Sequence, residues 1–319
     1  MTRLALETAP RSAYTGAMNW WRLIAVLFFT PLAAAGVKVA ALHPLLGDLA
    51  RETGGGRVEV ADLLRPTGNP HTFEPTAREL AAAADAAIVL ATGKRMEPYL
   101  DRLRDSLPPQ TLLLDLGAAI PDAEVPCPRG AEEGAHGHGA NDPHWWHTPA
   151  NMKRAARRLA AALEAIDPEG RELYRARLKE WNRRMDRLDA EARTALAGIP
   201  PERRVLATAH ASMCHFCREY GFTPLPLQGV SAQDEGHAAA LAAVLAELRR
   251  RRAGALFTEM NAPPKMLETI ARQLHVPALP LITDGLHPEL RTFEAIFRHN
   301  VKTIAEGLTP APRDAAPAP

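Results

Sequence analysis

The chain has 319 residues, of which 46% are hydrophobic and 24% are charged, so it is long enough for two globular domains of ordinary size. Its 38 basic and 37 acidic residues nearly cancel, and the formal net charge is +1. This balance excludes the strongly basic surface that nucleic-acid-binding proteins use, so we expect no nucleic-acid partner.

The N-terminal segment has the pattern of a secretory signal. Arg22 precedes a short apolar run over residues 23–32, and small residues follow at 33–36. The run is too short to span a bilayer comfortably, which leaves a membrane anchor as the weaker alternative. We therefore predict that residues 1–35 are a cleaved signal peptide and that the mature chain is periplasmic. Met18 is an alternative start, because residues 1–17 fit no signal pattern.

Strands and helices alternate through the first half, which predicts an α/β lobe with a parallel sheet over residues 36–148. Thr76 and Glu79 form a capping-box pattern at the start of one helix. The predicted strands are Val37–Leu42, Val58–Leu64, Ala87–Thr92 and Thr111–Asp115, and the predicted helices are Pro44–Glu52, Thr76–Ala84 and Glu97–Ser106. Residues 121–141 are rich in Pro, Gly, Glu and His, and we expect them to form a surface loop.

The middle of the chain, residues 149–198, has a helical pattern that breaks at Asp167-Pro168. The second piece, Pro168–Ala197, would be about 45 Å long, which suits a stiff connection between two lobes. The α/β alternation then returns over residues 199–308, and the Pro/Ala-rich residues 309–319 are predicted to be a disordered tail. The predicted strands here are Arg204–Ala209, Thr223–Leu227, Ala255–Thr258 and Ala278–Ile282, and the helices are Ala211–Tyr220, Gly236–Arg252, Pro263–Leu274 and Leu290–Gly307.

Four candidate metal ligands lie in loops or where strands end, which is where α/β folds bind ligands: His71, His144, His210 and Asp284. Imidazole nitrogen and carboxylate oxygen together suit Zn²⁺ in a four-coordinate site. Two candidates come from each half, so such a site would lie between the lobes. Any one of these histidines alone is more commonly a surface or helix-capping residue, so the residue types leave the site open.

The segments around these four residues resemble the periplasmic zinc/manganese-binding components of ABC importers, the TroA-like family. The resemblance runs from about Val37 to Leu308. It is carried, in order, by Leu63-Leu-Arg-Pro-Thr-Gly-Asn-Pro-His71-Thr-Phe-Glu-Pro75, Asp142-Pro-His144-Trp145, the segment from His210 to Tyr220-Gly221, Leu256-Phe-Thr-Glu259, Asp284-Gly-Leu286 and Arg298-His-Asn300. It implies two Rossmann-like lobes with parallel sheets, joined by a long rigid linking helix, with the metal site at the lobe interface.

The resemblance also implies which residues bind the metal and what the chain does. The ligands would be His71, His144, His210 and Asp284, forming one tight Zn²⁺ site. Manganese-type members have a carboxylate where this chain has His210, so three imidazoles favour zinc. The chain would be a monomer and no enzyme, delivering Zn²⁺ to an ABC permease and its ATPase at the inner membrane.

Other residues are predicted to assist the site. Glu259 would orient a ligand imidazole from behind. Glu74 would do the same or only cap the following helix. His147 departs from the family pattern, and we leave it as a partner of a ligand, an alternative ligand or, as favoured here, an exposed residue. His136 and His138 are either part of a solvated linker or an auxiliary pair that collects zinc weakly.

His215 also departs from the family pattern, and we expect it to be a packed helix residue. Cys127, Cys214 and Cys217 allow at most one internal disulfide, whose pairing stays open. Metal binding by Cys214 and Cys217 is disfavoured, because the chain has no second cysteine pair.

Three other functions remain as alternatives. A member of the same family could carry manganese or another divalent metal. A zinc-dependent hydrolase would use a similar donor set, but the chain lacks a His-Glu-x-x-His motif that supplies ligands and a general base together. An adhesin-like surface protein with a structural zinc is the third alternative.

Overall fold

The computed structural model describes residues 36–125, 141–227, 238–251, 253–259 and 265–310. These residues form two α/β lobes, each built on a four-stranded parallel sheet. The strands are β1 (Val37–Ala41), β2 (Val58–Asp62), β3 (Ile88–Ala91) and β4 (Leu112–Asp115) in the first lobe, and β5 (Val205–Thr208), β6 (Thr223–Pro226), β7 (Leu256–Glu259) and β8 (Ala278–Leu281) in the second. The two sheets share one strand order, β2-β1-β3-β4 and β6-β5-β7-β8. This arrangement confirms the predicted fold class.

The helices follow the predicted pattern, with different ends at several positions. They are α1 (Pro44–Gly54), α2 (Ala77–Ala84), α3 (Leu100–Ser106), α4 (Pro149–Ile166), α5 (Arg171–Leu196), α6 (Cys214–Tyr220), α7 (Ala238–Arg250), α8 (Lys265–Leu274) and α9 (Phe293–Leu308). The capping box of Thr76 and Glu79 is present at α2. Helix α9 begins only at Phe293, because the Thr292 side chain accepts the Ala295 N–H and caps it there.

Helix α3 begins three residues later than predicted because of Glu97. Its buried carboxylate accepts the backbone N–H groups of Thr92 and Gly93 at 2.7 and 3.0 Å. Gly93 has a φ of 75°, and the next two residues also have positive φ, so the chain turns here before a helix can start. The helical pattern in the sequence carried no information about this turn.

The linking helix α5 has 26 residues and is therefore about 39 Å long. It packs against α4, against α1 of the first lobe and against α9 of the second. The break before it is fixed by Asp167, whose carboxylate binds the Arg57 guanidinium at 2.6 Å. Because α5 touches helices of both lobes along its length, it holds them side by side with the carboxyl ends of their strands at the shared interface.

Several predictions fall outside the described residues. These are the signal peptide over residues 1–35, most of the loop that contains Cys127, His136 and His138, and all but the first two residues of the predicted tail. Within the described ranges, no helix combines the length and apolar character needed to cross a membrane.

Candidate metal centre

The four predicted ligands converge where the lobes meet, although they are far apart in the sequence. His71 lies in the loop after β2, His144 precedes the 3-10 turn Trp145–His147, His210 follows β5, and Asp284 follows β8. Their ligand atoms all lie within 4.8 Å of one another. The fold therefore brings together the four side chains that the sequence singled out.

The distances between the donor atoms suit one small cation. His144 Nε2 lies 3.0 Å from His71 Nε2 and 3.2 Å from His210 Nε2. Asp284 Oδ1 lies 3.1 Å from His144 Nε2, 3.5 Å from His210 Nε2 and 3.7 Å from His71 Nε2. A tetrahedral zinc site with bonds near 2.0–2.1 Å separates its donors by about 3.3 Å. The observed distances lie on both sides of that value.

The centre is buried and opens most at one ligand. The side chains of His144 and His210 are fully buried, and that of Asp284 is 8% exposed. His71 has the largest exposed side-chain fraction of the four, 11%.

Asp142 orients His144 from behind. One carboxylate oxygen lies 2.7 Å from His144 Nδ1 and also accepts the His144 backbone N–H at 2.8 Å. The other oxygen accepts the Cys214 N–H at 2.8 Å. Burial would raise the pKa of Asp142, but the imidazoles of His144 and His215 and the hydrogen bonds outweigh it and lower the pKa to about 2. The ionised carboxylate fixes the His144 ring so that Nε2 faces the centre.

No role was predicted for Asp142, although it belongs to the Asp-Pro-His motif at residues 142–144. The signal was available in that motif, because an aspartate two residues before a histidine can bind that histidine's backbone N–H in a local turn. The same geometry brings the carboxylate beside the imidazole.

Glu259 lies behind His210 in the same way. Its Oε1 lies 2.6 Å from His210 Nδ1 and accepts the His210 backbone N–H at 3.1 Å. Glu259 is buried at the end of β7, the strand next to β5 in the sheet. Parallel pairing of these strands therefore places the carboxylate beside the imidazole, and Nε2 of His210 is left free for the centre.

The charges of the centre depend on one another. Burial lowers the pKa of His210, but Asp284 and Glu259 outweigh burial and raise it well above its usual value. Burial raises the pKa of Asp284, but the three imidazoles outweigh it and hold the pKa well below its usual range. A metal ion binding to Nε2 of His210 would have to replace a proton there, so binding is coupled to proton release.

Two further predictions need correction. His147 was favoured as an exposed residue, but it is 3% exposed, and its Nε2 lies 3.1 Å from the Thr283 carbonyl oxygen. Glu74 was predicted to support a ligand, but its side chain is 76% exposed and lies 3.7 Å from the Arg102 guanidinium. It does not cap α2 either, since the capping box there uses Glu79. Glu74 was predicted to support a ligand because it lies in the motif around His71, but the loop places its side chain at the surface.

His215 is a packed helix residue, as expected. It is buried, its Nε2 lies 3.0 Å from the Asp142 carbonyl oxygen, and its Nδ1 lies 3.2 Å from Asn151 Nδ2. Cys214 and Cys217 are buried free thiols, and burial raises the pKa of both. Such protonated thiols are poor metal ligands.

Another histidine near the centre, His43, was missed. His43 follows β1 and caps α1, because its Nδ1 accepts the Leu45 N–H at 3.3 Å. Its ring lies 4.5 Å from that of Trp146, and burial lowers its pKa to about 3. The His-Pro pattern at a helix start was the available signal.

Comparison with known proteins identifies the family. Residues 39–307 match the family model described as ZnuA, zinc-uptake complex component A, periplasmic. The chain belongs to this family. The expected resemblance is thereby confirmed from residue 39 to residue 307. The family comprises periplasmic metal-binding components of ABC transporters, which work with a permease and an ATPase and are not enzymes.

The relatives differ in the metal that their names record. The manganese ABC transporter substrate-binding lipoprotein PsaA of Streptococcus anginosus is 24% identical over 281 residues, which cover 86% of this chain and 89% of the relative. The iron-binding protein YfeA of Yersinia pestis is 25% identical over 279 residues, covering 85% and 86%. The structure of the periplasmic zinc-binding protein TroA from Treponema pallidum matches with a TM-score of 0.75 at 25% identity, covering 87% of this chain and 100% of that one. Divalent-metal binding is supported, and the choice of metal must come from the donors.

Proposed function

We propose that the chain captures Zn²⁺ in the periplasm with His71, His144, His210 and Asp284 and delivers it to an ABC permease. The observation that carries this proposal is the convergence of three imidazole nitrogens and one carboxylate oxygen. His144 Nε2 and Asp284 Oδ1 each lie 3.0–3.7 Å from the other donor atoms. That donor number and spacing match a closed tetrahedral zinc site.

Zinc is favoured over manganese by the chemistry of the donors. Mn²⁺ prefers oxygen ligands and six-coordinate geometry, whereas three of the four donors here are imidazole nitrogens. His144 and His210 are fully buried and each is oriented by a carboxylate, so neither can easily turn away to admit water ligands. A site held in this way favours an ion that accepts four ligands.

The decisive experiment is a titration of metal-free protein with Zn²⁺, followed by competition with Mn²⁺. We expect one tight zinc site per chain, weakened more than about 100-fold by His210→Ala, since loss of a ligand should exceed the 10- to 100-fold effect of residues behind ligands. His275→Asn is the matched control, because His275 is exposed and its φ of 56° is tolerated by Asn. Equal affinities for Mn²⁺ and Zn²⁺ would overturn the choice of zinc, and an unchanged affinity in His210→Ala would remove that residue from the site.

The remaining parts of the proposal concern the oligomeric state, the export and the lack of catalysis of the protein. We propose that it acts as a monomer, without nucleic acid, after cleavage of the N-terminal signal. A hydrolysis screen of the zinc-loaded protein should show no turnover above background, because four protein ligands leave no position for an activated water. Size measurement of the exported protein tests the monomeric state, and its N-terminal sequence tests the cleavage of the signal.

A further inference from the structure

One indole N–H and one imidazole N–H from the first half of the chain point to the same backbone carbonyl oxygen of the second lobe. Trp146 Nε1 donates to the Thr283 carbonyl oxygen at 2.9 Å, and His147 Nε2 lies 3.1 Å from the same oxygen. All three residues are buried. Thr283 directly precedes Asp284, so the peptide bond that carries this oxygen also carries the Asp284 nitrogen.

The other end of the Asp284 segment is also bound to the first lobe. Leu286 donates its backbone N–H to the Pro66 carbonyl oxygen at 3.0 Å. Between them, Gly285 lies so close that an added Cβ would be 2.7 Å from that oxygen. Only a residue without a side chain allows this approach without a shift of the backbone. Asp284 therefore lies between two hydrogen-bonded anchors that both belong to the opposite lobe.

The 3-10 turn that carries the two donors is itself held in the first lobe. Trp145 donates from Nε1 to the Thr92 carbonyl oxygen at 3.0 Å, at the end of β3. Burial lowers the pKa of His147 to about 3, so its ring is neutral and only one ring nitrogen carries a proton. Contact with a carbonyl oxygen requires that proton on Nε2.

We propose that Trp146 and His147 are positioning residues that fix the Asp284 carboxylate at the metal centre from across the lobe interface. The Thr283 carbonyl and the Leu286 N–H mark the two ends of the fixed segment. Asp284 Oδ1 is thereby held 3.1 Å from His144 Nε2. This inference rests on the proposed role of Asp284 as a metal ligand.

The test is a double-mutant cycle on zinc affinity, with His147→Leu made in the natural chain, in Asp284→Ala and in His210→Ala. We expect about a tenfold loss in the natural chain and again in His210→Ala, and less than about a twofold loss in Asp284→Ala, where the residue to be positioned is gone. His147→Gln retains a side-chain N–H donor and should recover most of the affinity. In Co²⁺-loaded protein, His147→Leu should weaken the visible bands, which are strongest for four-coordinate Co²⁺.

Trp146→Phe has a matched control in Trp181→Phe. Both indoles are buried, but Trp181 Nε1 has no hydrogen-bond partner among the described residues. Trp146→Phe should weaken zinc binding and Trp181→Phe should not. An equal loss from His147→Leu with and without Asp284, or equal effects of the two tryptophan variants, would overturn the positioning role. Unchanged affinity in Asp284→Ala alone would instead overturn the proposed ligand set.

Discussion

Two regions join the lobes, and they differ in the kind of contact they make. The metal centre, defined by His71, His144, His210 and Asp284, gathers donor atoms that a cation would bind. The second region, here called the helix junction, is defined by Asp48 and Glu52 of α1, Arg184 of α5 and Glu294 of α9. At the junction Arg184 pairs with Glu52, and its Nε lies 3.1 Å from Glu294.

The helix junction joins the lobes through ion pairs, a helix cap and aromatic packing. Asp48 accepts the Phe293 N–H at 2.8 Å at the start of α9, so a carboxylate of the first lobe caps a helix of the second. Trp181 packs beside Phe293 with ring centroids 6.3 Å apart. The lobes are therefore joined at the junction by contacts that use none of the four residues of the metal centre.

The largest expected effect on zinc affinity comes from a substitution in the metal centre, and a substitution in the helix junction should have almost none. His144→Ala should weaken zinc binding by more than about 100-fold, because His144 Nε2 is the donor nearest to the others. Arg184→Met removes the central charge of the junction, and we expect it to change zinc affinity by less than about twofold. It should destabilise the metal-free protein by about 1 kcal/mol, since the ion pairs are partly exposed.

Zinc titration and urea unfolding of both variants check this contrast. A large loss of zinc affinity in Arg184→Met would show that the junction controls the metal centre and that the two regions are not independent.

The two supporting carboxylates should have unequal effects within the centre. Both oxygens of Asp142 are used, one by His144 and one by the Cys214 N–H, so in Asp142→Asn the amide NH₂ must face a donor. Glu259 uses only Oε1, and its Oε2 is buried without a partner among the described residues. Glu259→Gln can therefore keep its acceptor toward His210 and lose only the charge.

We expect a loss of zinc affinity near 100-fold for Asp142→Asn and near tenfold for Glu259→Gln, the two ends of the range for residues behind metal ligands. Competition with a zinc chelator measures both. A larger loss for Glu259→Gln than for Asp142→Asn would mean that the charge of the carboxylate, and not its hydrogen-bond pattern, determines its effect on zinc affinity.

A motif residue at the surface should have no measurable effect. Glu74 lies three residues after His71, but its side chain is mostly exposed and lies near Arg102. Glu74→Ala should leave zinc affinity within about twofold of the natural chain, as expected for a weak surface pair. A tenfold loss in the same titration would show that the loop brings Glu74 to the ion.

These cases show what the sequence could and could not predict. Alternation of strands and helices predicted both sheets, because buried parallel strands have continuous apolar runs. Positions in loops and at strand ends made the four converging residues candidates, and the family resemblance selected them from twelve histidines and many carboxylates. The burial of His147 was not predictable, since it depends on packing against Thr283 of the other lobe. The exposure of Glu74 depends on the course of its loop, which the motif around His71 did not reveal. The role of Asp48 was also hidden, because its partner Phe293 lies in the other lobe.

The smallest effect on metal binding is expected at Asp48, where the consequence is for stability. Burial, which outweighs the Phe293 N–H, raises the pKa of Asp48 to about 6 from its usual value near 4. The folded chain therefore holds this proton more tightly than the unfolded chain. Its contribution to stability is fully present below about pH 4 and is lost as the pH rises to about 6.

Asp48→Asn keeps an acceptor oxygen for Phe293 and cannot ionise. Relative to the natural chain, its free energy of unfolding should rise by up to about 3 kcal/mol between pH 4 and pH 6, with zinc affinity unchanged. Urea unfolding of both metal-free proteins at several pH values measures this difference. A constant difference across that range would mean that Asp48 ionises alike in the folded and unfolded chains. The junction would then hold the lobes through packing and the Arg184 pairs, without a buried carboxyl that titrates.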